Sequence, residues 1–422
     1  MNCSEKISSL EFTLIMGCRL NCYYCPQKML LETYFKDNNI RKRCLTFSDF
    51  VKVLEKVEDG ATLSFAGMSE PFHNSECADM LVYAYEKGFK IALLTTLVGM
   101  TKEDYYKIKD IQFDSLVLHI PDEEGNSKFV IDEQYLELLK LVNDTMDIDY
   151  YSCHGSVHPL VQDIIDKDKF AGISVHNRAG NLEVTEVKSR TNRCVEGEIV
   201  CYCGSETQTA AGMTHSMLPD GTLVLCCQDY GMKHILGNLI EQSWMEIKEG
   251  IEYKKIAMGM KDSSIDILCR NCDTAIRIED LPAMRLKRAV ENVEETLKED
   301  FLQEQDKEII RVLAESSRIC VFGIGKLFRD HFWYEHWNDG LNATLLSDNN
   351  SNTWGTEING LKCVSPNELK QEDCVVVFVK KGDEIIKQLK EMGIENCILF
   401  NDVFRIAISL CKGKFCRRKI EN

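Results

Sequence analysis

Three cysteines, Cys18, Cys22 and Cys25, form a C-x3-C-x2-C array within the segment MGCRLNCYYCP. Three thiolates on one short loop can converge on a single metal centre. A cubane iron–sulfur cluster usually takes four, so three leave one iron open to a small molecule. A zinc knuckle would need a fourth ligand nearby. With 20 cysteines in 422 residues, chance places such an array roughly 0.04 times per chain. A second group lies further on: Cys194, Cys201, Cys203, Cys226, Cys227, Cys269 and Cys272. The turn Pro-Asp-Gly at 219–221 predicts a hairpin that sets Cys226 or Cys227 beside the closing C-x2-C of Cys269 and Cys272. One thiolate from Cys194, Cys201 or Cys203 would then complete a closed set of four. Cys203 is the preferred first ligand, followed by Cys201 and then Cys194. A four-cysteine zinc site is the rival reading.

The first array, with Tyr24 before its last cysteine, resembles the signature of the radical S-adenosylmethionine (SAM) superfamily. That resemblance implies a partial (βα)6 barrel and a [4Fe-4S] cluster whose open iron chelates SAM. It also implies one-electron cleavage of SAM to methionine and a 5′-deoxyadenosyl radical that takes a substrate hydrogen. The segment FAGMSEPF resembles the superfamily's Gly-Gly-Glu-Pro motif: Glu70 and Pro71 match, Met68 and Ser69 stand in place of the glycines, and Gly67 precedes them. By resemblance the SAM contacts are Tyr24, Gly67, Ser69, Glu70, Thr95, His119 and Arg178. Glu70 would meet the ammonium group, and Arg178 lies in the stretch NRAGN.

The second cysteine group resembles the SPASM domain of radical SAM enzymes that modify peptides and other large substrates. The full domain binds two auxiliary clusters. This chain has no cysteine between Cys272 and Cys320. A shortened, twitch-like form with one auxiliary [4Fe-4S] cluster on Cys203, Cys226, Cys269 and Cys272 is therefore expected.

These residues need elements to hold them. From Leu10 to about Asn181, strand-like runs at 11–16, 61–65, 90–96, 114–120, 147–153 and 172–176 alternate with helical runs such as 47–58 and 133–144. Alternation of this kind predicts βα units and a parallel sheet. Val290, Val293, Leu297 and Phe301 are spaced as one helix face. From Arg318 the βα pattern returns, with Gly323 and Gly325 after a strand and Asp348 in SDNN, a fragment of a dinucleotide fingerprint. This part resembles small Rossmann-like modules of sugar-nucleotide enzymes, which implies nucleotide contacts at Gly323, Gly325 and Asp348. The fold class is α/β. The expected domains are a radical SAM partial barrel (1–188), a SPASM/twitch-like domain (189–281), a helical linker (282–316), a Rossmann-like domain (317–409) and a basic tail (410–422).

The net charge is −17. Nucleic-acid binding rests on cationic contacts to phosphates, so that class is not expected, nor is an anionic membrane surface. The N-terminus lacks the apolar core of a signal peptide and no run spans a bilayer, so a cytoplasmic enzyme is expected. The favoured substrate is a sugar, nucleotide-sugar or glycan-linked molecule, undergoing epimerisation, dehydrogenation or dehydration. A peptide-modifying maturase is the alternative, and a non-catalytic iron–sulfur or zinc scaffold is the reading from another class. The resemblance also implies a reductant such as flavodoxin or ferredoxin.

Overall fold

A computed structural model describes residues 6–36, 42–172, 175–182, 194–203, 206–208, 214–326, 328, 337, 340–379 and 382–411, with backbone only at 202–203 and 206–208. The expected boundary at 188–189 and the tail beyond Cys411 lie outside them. Two compact units divide the chain at residues 275 and 276. Among the described residues no helix is long and apolar enough to cross a membrane.

The first unit is built on parallel strands β1 (Ile7–Phe12), β2 (Val57–Phe65), β3 (Lys90–Thr95), β4 (Ser115–His119), β5 (Tyr150–Cys153) and β6 (Phe170–Gly172), paired in chain order. Helices Gln27–Tyr34, Phe47–Leu54, Cys77–Glu86, Lys102–Ile108 and Glu133–Thr145 fill most of the crossovers. Their starts follow the sequence: Thr46, Thr101 and Asp132 each cap a helix by accepting an N–H. The outward sides of the strands, Leu10, Phe12, Leu63, Phe65, Ile91 and Leu93, belong to one buried apolar core. The first strand starts earlier than its apolar run suggests. Thr13, Leu14 and Met16 are buried after the strand has ended, where the chain turns toward the first cysteines.

The sheet does not stop at β1. A hairpin of β9 (His215–Met217) and β10 (Thr222–Val224) extends it, β9 lying parallel to β1 and β10 pairing with β11 (Ile235–Asn238). The hairpin turns at Gly221, whose φ of +86° is open to glycine. A β carbon there would also sit 2.5 Å from Asn238 Oδ1. Strands β7 (Ile199–Cys203) and β8 (Glu206–Gln208) pair antiparallel nearby in sequence. The nine-stranded order is β11-β10-β9-β1-β2-β3-β4-β5-β6.

The second unit holds a sheet whose parallel strands run 361–364, 345–347, 319–322, 374–377 and 397–399 in spatial order, with 357–358 antiparallel at the edge. The strand order reverses around the first strand, as in doubly wound folds. Ala283 and Leu286 of helix Leu281–Glu291, and Leu313 of helix Glu304–Glu315, pack into this unit's core. The helix face expected over Val290–Phe301 is broken. Asn292 leaves helical geometry (φ −121°, ψ 54°), and Phe301 is 37 % exposed.

Candidate active site

All six parallel strands send residues from their C-terminal ends to one cavity of about 190 Å³. The loop after β1 supplies Cys18, Cys22, Tyr24, Cys25 and Gln27. The loop after β2 supplies Gly67, Met68, Ser69 and Glu70. Leu94, Thr95 and Thr96 come from the end of β3, His119 from β4, His154 from beyond β5 and Arg178 from beyond β6. Strand ends can surround one space only if the sheet curls around it, and barrel sites are built at this end.

The cysteine loop is anchored through Tyr24. Its hydroxyl lies 2.7 Å from His119 Nε2 and 2.6 Å from Ser127 Oγ, and its ring packs 3.8 Å from that of His154. Asp122 holds Ser127 in place, its carboxylate accepting the N–H groups of Asn126 and Ser127. Burial, with His154 and Arg178 nearby, lowers His119 to about 4, so its ring is neutral at pH 7. The three thiols line the cavity. Among the described residues no group of three His, Cys, Asp or Glu side chains closes on a point suited to a single ion. A cubane is bound differently, each thiolate taking its own iron. Burial pushes Cys18 up to about 11, so iron must replace that proton on binding. Gln27 Oε1 and Ser69 Oγ are buried in the wall without a hydrogen-bond partner. Thiols and spare polar atoms around one cavity fit a cluster with a polar small molecule beside it.

Glu70 is occupied by the chain itself. One carboxylate oxygen accepts Thr95 Oγ1 at 2.6 Å and Phe72 N at 3.2 Å; the other accepts Thr96 N at 2.7 Å and Thr96 Oγ1 at 2.6 Å. A carboxylate offers about four acceptor positions, and all four are filled. Glu70 therefore ties the end of β2 to the end of β3. The motif loop is shaped further by Gly67 (φ +51°), where a β carbon would strike Thr13 Oγ1 and Phe12 O, and by Met68 N donating to Thr13 Oγ1 at 3.0 Å.

Arg178 reaches the site from a strained turn (φ +49°). Its Nε donates to Tyr24 O at 3.4 Å and Nη1 to Gln228 Oε1 at 3.4 Å. Burial opposes its charge, while Tyr230, Cys25 and Cys227 favour it and leave its pKa raised. Tyr230, from the second cysteine segment, donates its hydroxyl proton toward the first array or accepts from it, the oxygen lying 3.3 Å from Cys25 Sγ.

The second cysteine group also comes together. The Cys201 thiol is hydrogen-bonded to Cys269, with Cys272 and Cys226 close enough to act on it. Sequence reasoning preferred Cys203, whose side chain lies outside the described residues. Cys194 is exposed. The adjacent pair splits: Cys226 joins Cys269 and Cys272, whereas Cys227 bonds to Glu11 and lies by Arg178 and Tyr230. The pair opens a turn just past the strand end, closed by Asp229 N donating to Cys226 O at 3.0 Å, and so one pair serves two places. Arg270, inside the closing C-x2-C, was not singled out from the sequence. It is 1 % exposed and its guanidinium donates to Val195 O, Gly197 O and Gly259 O at 2.5, 3.0 and 2.6 Å. It fixes the Cys269–Cys272 loop to the segment leading into Cys201.

Residues 211–273 match the family model SPASM, described as an iron–sulfur cluster-binding domain. This stretch is a SPASM domain. Its hairpin is the one that continues the β1–β6 sheet, and the SPASM cysteines described are Cys226, Cys227, Cys269 and Cys272. No curated protein matches the chain in sequence. Solved structures similar to it include BtrN in complex with AdoMet and 2-DOIA, at 14 % identity and TM-score 0.40, covering 63 % of this chain and 93 % of that one. Another is Streptococcus suis SuiB bound to the precursor peptide SuiA, at 12 % identity and TM-score 0.41, covering 61 % and 68 %. A third is anSMEcpe with bound AdoMet and Cp18Cys peptide, at 14 % identity and TM-score 0.41, covering 63 % and 86 %.

In the second unit, Gly323, Gly325 and Asp348 lie at the C-terminal ends of adjacent strands. Each Asp348 oxygen accepts one backbone N–H, from Ile324 and Asn350, at 2.8 Å, which leaves about two of its four acceptor positions open. Gly323 has φ +94°, and a β carbon there would press on Val379; at Gly325 a β carbon would meet open space.

Proposed function

We propose that this protein is a radical SAM enzyme that removes a hydrogen atom from a substrate C–H bond, with one auxiliary cluster on Cys201, Cys226, Cys269 and Cys272. The supporting observation is the single cavity in which Cys18, Cys22 and Cys25 meet all seven residues expected to touch SAM. The SPASM match supports the auxiliary site. When bound, the first cluster supplies the electron that splits SAM and so yields the 5′-deoxyadenosyl radical. The chain's own residues position and shield. Tyr24 and Ser127 hold the cysteine loop, Glu70 holds the motif loop, and Ser69 and Gln27 offer free acceptors to the SAM amino group. His119 is neutral, and its two ring nitrogens are taken by Tyr24 Oη and Ser152 Oγ, so it steadies the cavity wall beside SAM. Excluding water from this cavity protects a reactive intermediate.

A flavodoxin- or ferredoxin-like reductant is part of this reading. For the substrate, the unpartnered Gln27 Oε1 and Ser69 Oγ in the cavity wall support a hydroxyl- or amine-bearing molecule, which suits the sugar or glycan-linked class. The nucleotide-sugar form of that class would use the open acceptor positions of Asp348. A peptide is the second reading, favoured by the SPASM domain's resemblance to peptide-modifying enzymes.

Anaerobically reconstituted protein with dithionite should convert SAM to 5′-deoxyadenosine. The triple variant Cys18→Ala, Cys22→Ala, Cys25→Ala should not. Equal nucleoside release by both proteins would overturn the proposal.

A further inference from the structure

A parallel sheet covered on both faces carries apolar residues on both. Here the inner face is different. In β1 Leu10 and Phe12 are buried outward, while Ser9 and Glu11 keep accessible surface; in β3 Ile91 and Leu93 are buried, while Ala92 is half-buried and Leu94 is 42 % exposed. The strand register lines up Ser216, Glu11, Ser64, Ala92 and Ser115 as one row across five strands. Four of these are small. The fifth is a carboxylate.

Glu11 is held from three sides. Ser216 Oγ, the Cys227 thiol and the Gly67 N–H all donate to it. Three donors leave one of about four acceptor positions open. Glu70, its counterpart at the end of β2, has none open and is 4 % exposed. Glu11 also sits where the two halves of the site meet. Gly67 lines the SAM-side cavity, and Cys227 is next to the auxiliary ligand Cys226. Gln27 Oε1, on a side chain 6 % exposed in the wall of the adjoining cavity, is a second acceptor without a donor.

We propose that Glu11 is a substrate-binding residue, its open carboxylate position accepting a hydrogen bond from an amine or hydroxyl group of a molecule lying on the row of small residues. This deepens the radical SAM reading and rests on it, since it takes the space beside the first cysteine array as the reaction space. A carboxylate there fixes the height of a polar substrate group above the sheet and so determines which C–H bond faces the cavity.

The test is chemical labelling of the reconstituted full-length protein with a water-soluble carbodiimide and glycinamide, a small primary amine, followed by peptide mapping. Glu11 should acquire the amide and Glu70 should not. Ala92→Leu, which fills the row while leaving Glu11 intact, should slow labelling of Glu11 at least fivefold. An unlabelled Glu11, equal labelling of Glu70, or an Ala92→Leu variant that labels as wild type would each overturn the proposal. A tenfold loss of SAM affinity in Glu11→Gln would assign the carboxylate to SAM and overturn it as well. Labelling requires no turnover, so its failure is separable from a failed 5′-deoxyadenosine assay.

Discussion

At the residue scale, the two glutamates near the site differ in what they have left to give. Glu70 was legible from its motif, but its work was not. Sequence suggested a ligand, and the geometry makes it a brace between two strand ends. Glu70→Gln replaces an acceptor-only group with one that presents an NH2 to donors, leaving about two of them unpaired at about 1–3 kcal/mol each. Loss of stability in urea and a tenfold or larger loss of SAM affinity are expected together. An unchanged urea midpoint would contradict the brace. Arg270 left a faint signal: a charged residue between two cysteines that the metal does not need. Arg270→Leu strands the two buried carbonyls of Val195 and Gly259 and should cost about 2 kcal/mol or more by the same reasoning. Iron analysis should show the auxiliary set lost with it. Cys201→Ala should likewise remove about four iron atoms, one cubane. Cys203→Ala should keep them, and the reverse result would restore the sequence preference.

At the element scale, the caps at Thr46, Thr101 and Asp132 and the hairpin at Gly221 follow from local pattern, and of these the sequence reading placed the hairpin. It misplaced β1, because an apolar run does not say whether it is strand or buried turn. It joined Val290 to Phe301 because periodicity alone cannot see that Asn292 leaves the helix. One element carries a titration. His215 in β9 is 2 % exposed, its Nδ1 lies 2.8 Å from Leu225 O, and burial lowers it to about 4 from 6.5. The unfolded ring takes a proton below about pH 6.5 that the folded ring refuses. Its contribution is therefore complete above that pH and is lost as pH falls toward 4, by up to about 3 kcal/mol. The urea midpoint of the full chain should drop over pH 6.5 to 4.5, and less steeply in His215→Gln. Equal slopes would remove His215 as the cause.

At the scale of the whole molecule, the cysteine spacings announced two metal sites, and the reading of one auxiliary cluster gives a countable result. Reconstituted protein should hold about eight iron atoms and the triple alanine variant about four. A count near twelve would mean that a further cluster had been overlooked. What sequence could not show is how the two sites share one scaffold. Pairing between β1 and β9 joins residues some 200 positions apart, and nothing local encodes it. That ladder has a consequence for anyone dividing the chain. Residues 1–188 contain every strand of the βα half but would leave β1 as a bare edge, its row of N–H and C=O groups facing water. Unprotected edges template association between copies. A fragment cut there should self-associate, whereas one carried through Ala275 should not. In this chain the cysteine-rich segment is the selvedge of the sheet, and trimming it lets the weave run.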